Sequence, residues 1–171
     1  MSSKRFLIAV CLTACLGCLL LSACSPPFNW REYHGDSAPY TVLMPDKPAS
    51  LSRPVELAGL KLTLTMNAAE VRGISFAVGS LQVDEPGQAG IVMQAMRNGL
   101  LANIRSQPAK VQTLADGSLI AHGSTADGRP LKMVARFVSH GNWVYQVVAI
   151  GPEQALTQEL SDSFLGSFHA N

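Results

Sequence analysis

The side chains that could bind a metal do not show the spacings that such chemistry needs. Two histidines can hold zinc from one face of a helix when they stand four residues apart, as in the patterns HxxxH and HExxH. The chain has four histidines, which are His34, His122, His140 and His169. Their spacing fits neither pattern. We therefore expect no metal site and no bound cofactor.

The serines and acidic residues give equally little support for catalysis. A serine hydrolase of the common type holds its nucleophile in the pattern GxSxG on a sharp strand-to-helix turn, and this pattern does not occur. Ser118 and Ser124 each follow a glycine, but both lie among predicted hairpins. Carboxylates in turns usually cap backbone groups, and those in predicted turns are Asp36, Asp46, Asp84, Glu85, Asp116 and Asp127. The sequence therefore predicts a protein that is not an enzyme.

The amino-terminal 23 residues have the layout of a secretory signal peptide. Lys4 and Arg5 precede a charge-free stretch over residues 6–23, and 16 of the first 23 residues are hydrophobic. A charged start followed by an apolar run and small residues is typical of a cleaved signal. The run is also close to the roughly 18 residues that can span a membrane. An uncleaved transmembrane anchor is therefore the alternative.

The last residues of this run, Leu21-Ser22-Ala23-Cys24, resemble the lipobox of bacterial lipoproteins. In lipoproteins, small residues before the cysteine let a dedicated peptidase reach the preceding peptide bond. The soft cysteine sulfur takes a diacylglyceryl group as a thioether, and cleavage frees an amino group for a further acyl chain. Two or more chains give stable membrane anchoring. The resemblance implies a signal peptide over residues 1–23 and a mature chain that begins at lipidated Cys24.

The distribution of cysteines agrees with this interpretation. All four lie in the segment or at its end, at Cys11, Cys15, Cys18 and Cys24. Cleavage leaves one cysteine, so a single mature chain can form neither a disulfide nor a cysteine metal site. An aspartate after the cysteine would resemble the inner-membrane retention signal of enteric bacteria. Ser25 instead predicts the outer membrane, with the domain facing the periplasm, and residues 24–29 form the lipidated cysteine and a short tether.

The charge balance excludes one class of partner. The chain has 13 basic and 12 acidic residues, and loss of Lys4 and Arg5 changes the net charge from +1 to −1. Proteins that bind duplexes cluster cationic side chains against the phosphates. We therefore expect no nucleic-acid partner.

Hydrophobic periodicity predicts one domain over residues 30–171. Apolar residues alternate with others from Leu60 to Ala69, from Ile74 to Val83 and from Trp143 to Ile150, which indicates strands. Further strands are predicted over residues 40–44, 110–115, 119–125 and 131–139. A period of three to four residues predicts a helix from Gln88 to Arg105, and a second helix is expected to begin at Pro152. These elements predict an α+β fold, an antiparallel β-sheet with helices packed against it.

The order of these elements resembles the PsbP-like family, named for an extrinsic photosystem subunit. The resemblance depends on four segments: Tyr40-Thr41-Val42-Leu43-Met44-Pro45, Gly99-Leu100-Leu101-Ala102-Asn103, Trp143-Val144-Tyr145-Gln146-Val147 and Phe164-Leu165-Gly166-Ser167-Phe168. It implies a PsbP-like fold and an accessory or binding role without a common catalytic constellation. Fold alone does not establish function.

The functional expectation is a membrane-anchored envelope lipoprotein with a non-enzymatic interaction or accessory role. Its partners would be the membrane, through lipid on Cys24, and an envelope protein. A small-ligand or lipid-binding module of the periplasm, with an apolar pocket between sheet and helix, is one alternative. An envelope hydrolase that uses His122 is another. Phe28, Trp30 and Tyr33 could lie at the lipid headgroups or fold onto the sheet edge.

Overall fold

A computed structural model describes residues 27–171, in which strands are the dominant element. Strands make up 49% of these residues and helices 21%. The predicted α+β class is therefore wrong, because the fold is sheet-rich. The difference arises mainly from three strands that the hydrophobic pattern did not indicate, β1 (Arg31–His34), β3 (Ala49–Leu57) and β10 (His169–Ala170).

Seven strands form a large antiparallel sheet. One of them is β3, and the other six are β4 (Leu60–Val71), β5 (Ile74–Gln82), β6 (Val111–Thr113), β7 (Leu119–Ser124), β8 (Pro130–His140) and β9 (Trp143–Pro152). Their order is β3-β4-β5-β9-β8-β7-β6, so β9 lies in the centre. Residues 144–149 of β9 are all buried. A strand covered on both faces is expected to be apolar throughout, as the sequence of β9 predicts.

A small sheet and two helices cover the faces of the large sheet. The small sheet has the order β1-β2-β10, where β2 is Tyr40–Met44. The helices are α1 (Ala89–Asn103) and α2 (Gln158–Gly166), and two single 3-10 turns lie at Pro86–Gln88 and Pro108–Lys110. The small sheet and α2 pack on one face of the large sheet, while α1 packs on the other.

Alternation along β5 divides the core between these two faces. Phe76 and Val78 face the small sheet and α2, where the Phe76 ring meets that of Phe164 edge to face at 5.3 Å. Ala77 and Leu81 face α1 instead. Val92 and Met96 of α1 fill the space on that side and are almost completely buried. The core therefore has two layers of apolar side chains, one on each side of the sheet.

A tight turn joins β4 to β5 where glycine permits an unusual backbone conformation. Arg72 and Gly73, between β4 and β5, have φ angles of 53° and 74°. Two successive positive φ angles are typical of the tight hairpin turn that matches strand twist. The pairing of Val71 with Ile74 then fixes the register of this hairpin.

The beginning of α2 differs from the sequence prediction. Pro152 is the last residue of β9, and the helix begins at Gln158. Thr157 is its N-cap, since the Thr157 hydroxyl accepts a hydrogen bond from the backbone N–H of Leu160 at 3.3 Å. A side-chain cap of this kind satisfies a backbone donor that has no partner within the helix. The helix is therefore shorter than predicted and leaves part of the sheet uncovered.

Candidate ligand-binding cleft

The uncovered part of the sheet forms an open cleft of about 420 Å³ between α2 and strands β6–β8, which we call the α2 cleft. Its apolar floor includes Ile120, Val134 and Leu165. The polar and charged residues of its lining are Gln112, Asp116, Ser118, Lys132, Arg136, Gln158, Ser161 and Asp162. This volume falls within the range of small-molecule sites, roughly 300–1,000 Å³.

Two cations of the cleft come from one face of β8. Lys132 Nζ donates a hydrogen bond to the carbonyl oxygen of Leu156, 3.3 Å away, just before α2. Arg136 Nη2 donates to the carbonyl oxygens of Leu165 and Phe168 at 2.7 and 3.2 Å. The last carbonyls of a helix lack partners within it and carry partial negative charge, so a cation is favourable there. Lys132 and Arg136 therefore fasten both ends of α2 to the sheet.

The other N–H groups of Arg136 make no hydrogen bond to the helix backbone. Its Nε is buried and has no hydrogen-bond partner in the described part of the chain. A guanidinium has five N–H donors in a fixed plane, and a buried donor without a partner costs about 1–3 kcal/mol. Arg136 is therefore positioned by the helix backbone and retains unsatisfied hydrogen-bonding capacity.

Two carboxylates lie on opposite walls of the cleft. Asp116, in the turn between β6 and β7, accepts hydrogen bonds from the hydroxyl and backbone N–H of Ser118 at 2.6 and 3.0 Å. These bonds, with a smaller effect from the charge of Arg136, hold the pKa of Asp116 below its ordinary value. Asp162, on α2, is exposed. The cleft thus presents two positive and two negative charges.

The hydroxyl groups in the cleft are occupied by structural hydrogen bonds. Ser161 donates to the carbonyl oxygens of Thr157 and Gln158 at 3.2 and 2.8 Å, and Ser118 donates to Asp116. Ser161 thus meets only carbonyl oxygens, and the lowered pKa of Asp116 makes that carboxylate a weak base for Ser118. The arrangement is suited to binding a small polar molecule.

A second cavity, of about 580 Å³, lies between the β7–β8 turn and the end of β9. Its charged residues already have partners, because Arg129 pairs with Asp127 at 2.9 Å and Glu153 pairs with His122 at 3.0 Å. In the α2 cleft, by contrast, the exposed Asp162 carboxylate makes no hydrogen bond within the described residues. The α2 cleft therefore has a charged group left for a ligand and is the stronger candidate site.

The sequence analysis did not single out the cations of the cleft. Lys132 and Arg136 come from one strand, and the α2 cleft forms only when α2 packs beside it. The available signal was the alternation of Lys132, Val134 and Arg136, which places them on one face of β8. The lipidation motif, Leu21, Ser22, Ala23 and Cys24, lies outside the described residues.

The histidines are dispersed over the domain. His122 Nδ1 lies 3.0 Å from the Glu153 carboxylate, and His34 Nε2 lies 3.0 Å from that of Glu32. All four of these side chains are substantially exposed. Within residues 27–171, no group of three or more histidine, cysteine or acidic side chains could hold a metal ion.

None of the helices described here is long and apolar enough to cross a bilayer.

Comparisons with known proteins add little. No family model matches the chain, and no curated protein matches it. A solved structure from Bacteroides thetaiotaomicron, without a stated function, is similar over 82% of this chain, with 11% identity and a TM-score of 0.47. This chain spans about half of that protein, 48% of its length. Similarity at this level supports no inference, so the lipoprotein and PsbP-like resemblances stay predictions.

Proposed function

We propose that this chain is a lipoprotein of the bacterial outer membrane, held through lipid on Cys24 and facing the periplasm. Its role is a non-enzymatic interaction or accessory one at the envelope. The observation that carries the proposal is the sequence Leu21-Ser22-Ala23-Cys24 at the end of a charge-free run that follows Lys4 and Arg5. A lipid at this position supplies the membrane affinity that the domain itself does not need to provide.

The start of the folded domain supports a position close to the bilayer. The backbone N–H of Asn29 donates to the carbonyl oxygen of Pro45 at 2.9 Å, which fastens the chain to the domain five residues after Cys24. Five residues reach at most about 18 Å when fully extended. Partners of the domain would therefore be met near the membrane surface.

The aromatic residues at this end belong to the core. The rings of Phe28 and Trp30 contact that of Phe76 edge to face, with centroid separations of 6.1 and 5.5 Å. Both side chains are half-buried against the small-sheet side of the core. This packing favours the interpretation that they fold onto the sheet, and it leaves the lipid as the membrane-binding element.

Crosslinking in intact cells tests the interaction role. The native chain is crosslinked and its adducts are identified by mass spectrometry, with the Cys24→Ala variant, which cannot receive the lipid, as the control. We expect a discrete envelope protein that is recovered with the native chain and lost with the control. Recovery of the same adducts from both forms, or of lipid alone, would contradict a tethered accessory role.

A second candidate function is a small-ligand-binding module, and the α2 cleft favours it. The space between the sheet and α1 is filled by Val92 and Met96, whereas the α2 cleft is open and polar. A site of this kind suits a small polar ligand better than a lipid chain. Native mass spectrometry should then show a bound small molecule, and only ligand-free protein would count against this function.

A further inference from the structure

We propose that the α2 cleft binds a small zwitterionic ligand, one that carries both a carboxylate and a protonated amine, as amino acids and short peptides do. This inference deepens the second candidate function, because it rests on the same cleft. It is independent of the lipid on Cys24. If the α2 cleft did not bind a zwitterion, the proposal of a lipid on Cys24 would be unaffected, and the reverse also holds.

Arg136 is the group that would receive the ligand carboxylate. Its Nη2 is held by the carbonyl oxygens of Leu165 and Phe168, whereas Nη1 makes no hydrogen bond among residues 27–171 and is not buried. Nη1 is therefore the donor left for a ligand in the cleft that Arg136 lines. A planar guanidinium that is already oriented pairs with a carboxylate at little cost in side-chain entropy. Lys132 lies four residues away on the same strand face and adds positive charge to the floor of the cleft.

Asp116 and Asp162 are the groups that would receive the ligand amine. One oxygen of Asp116 accepts both hydrogen bonds from Ser118, and its other oxygen has no hydrogen bond within the described part of the chain. The Asp162 carboxylate makes no hydrogen bond there either and stands on the facing wall. A protonated amine donates up to three hydrogen bonds and pairs well with such oxygens.

The balance of charge distinguishes a zwitterion from a simple anion. Two cations and two carboxylates line the cleft, so a phosphate or other multiply charged anion would meet Asp116 and Asp162 with like charge. A zwitterion can place its carboxylate beside the cations of the cleft and its amine beside the carboxylates. Its apolar part can rest on the floor formed by Ile120, Val134 and Leu165. The volume of about 420 Å³ suits a molecule of the size of a short peptide.

A set of related ligands tests this inference on the native protein. L-alanyl-L-alanine, its N-acetyl derivative, its C-terminal amide and inorganic phosphate are titrated into the full-length chain in detergent micelles by calorimetry. We expect the dipeptide to bind at least about tenfold more tightly than either blocked derivative, because each lacks one charged end. Inorganic phosphate should not bind, because both carboxylates of the cleft repel it. Equal binding of all four compounds, or no binding of the dipeptide, would overturn the inference.

Variants of one carboxylate locate the site. Asp162→Asn removes a charge from an exposed side chain. Because this side chain makes no hydrogen bond with the described residues, the fold should be unchanged. It should weaken dipeptide binding by about tenfold and leave the N-acetyl derivative unaffected. The matched control is Asp84→Asn, an exposed carboxylate outside the cleft. Equal binding by both variants and the native chain would place the ligand elsewhere and contradict the inference.

Discussion

Arg136 Nη2 donates to the carbonyl oxygen of Leu165 at 2.7 Å and so joins strand β8 to the last turn of helix α2. The same nitrogen donates to Phe168, beyond the end of the helix, at 3.2 Å. One side chain therefore satisfies backbone acceptors that the helix cannot satisfy itself. It also forms one end of the α2 cleft, so the support of the helix and the chemistry of the cleft are linked.

Replacement of this arginine should destabilise the domain. Arg136→Met removes charge-assisted hydrogen bonds to two carbonyl oxygens, and we expect the free energy of unfolding to fall by about 2 kcal/mol. Urea denaturation followed by tryptophan fluorescence measures the change. Arg97→Met, on α1, is the control, since the Arg97 side chain makes no hydrogen bond in the described region. A loss of the same size in the control would refute the role of Arg136.

A close backbone approach fixes the end of α1 against β7. A Cβ atom on Gly123 would overlap the carbonyl oxygen of Ile104, which accepts a hydrogen bond from the backbone N–H of Ser124 at 2.8 Å. Gly123→Ala should therefore lower the free energy of unfolding by about 1–3 kcal/mol, as overpacking does. Urea denaturation is again the measurement.

The matched control is a glycine with open space around it. Gly99 lies within α1, and a Cβ atom added to it would meet no atom of another element within 4 Å. Gly99→Ala should therefore stabilise the domain by about 0.5–1 kcal/mol. If both substitutions changed stability in the same direction, the close contact at Ile104 would not be the cause.

The sequence predicted the elements whose side-chain pattern reports burial. Alternation located β5 and β9 because each strand has two distinct faces in the core. It missed β3 because an edge strand is exposed on most positions: residues 49–54 are all exposed and include Pro54. It also misplaced the start of α2, since Pro152 suits a strand end as well as a first helical turn.

The α2 cleft could not be predicted from the sequence in the same way. Asp116, Arg136 and Asp162 come from a turn, a strand and a helix, and no local pattern connects them. Their proximity depends on how α2 packs beside β8, which is a tertiary relationship. The balance of charges in the cleft therefore becomes visible only in the folded chain.

The tyrosines predict a loss of stability at alkaline pH. Burial raises the pKa of Tyr33 and Tyr145 to about 12 and raises that of Tyr40 even more. Phenols ionise near pH 10 in unfolded chains. The stability these groups contribute is complete below about pH 10 and is lost as the pH rises towards 12, because ionisation favours the unfolded chain.

Phenolate absorbance measures this effect directly. In the native chain the phenol groups should titrate near or above pH 12, together with unfolding, whereas in concentrated urea they should titrate near pH 10. A native titration centred near pH 10 with the fold retained would show that the three hydroxyl groups are not protected.

Pro54 is expected to protect the exposed edge of the large sheet. It lies within edge strand β3 opposite Thr63, and Leu51 on the same strand is 65% exposed. Proline removes an N–H group that an incoming strand would need. Pro54→Thr should therefore increase self-association in sedimentation experiments at rising protein concentration. Ser52→Thr, which adds β-propensity without a new donor, should behave like the native chain, and identical behaviour of the two variants would refute the protective role.

The lipid on Cys24 is the central claim, and the intact mass of the chain purified from membranes tests it most directly. We predict a mass that corresponds to loss of residues 1–23 and the addition of a diacylglyceryl group and a further acyl chain at Cys24. The Cys24→Ala variant should retain residues 1–23 and carry no lipid. An unprocessed and unlipidated native chain, or lipid that persists in the variant, would contradict the account.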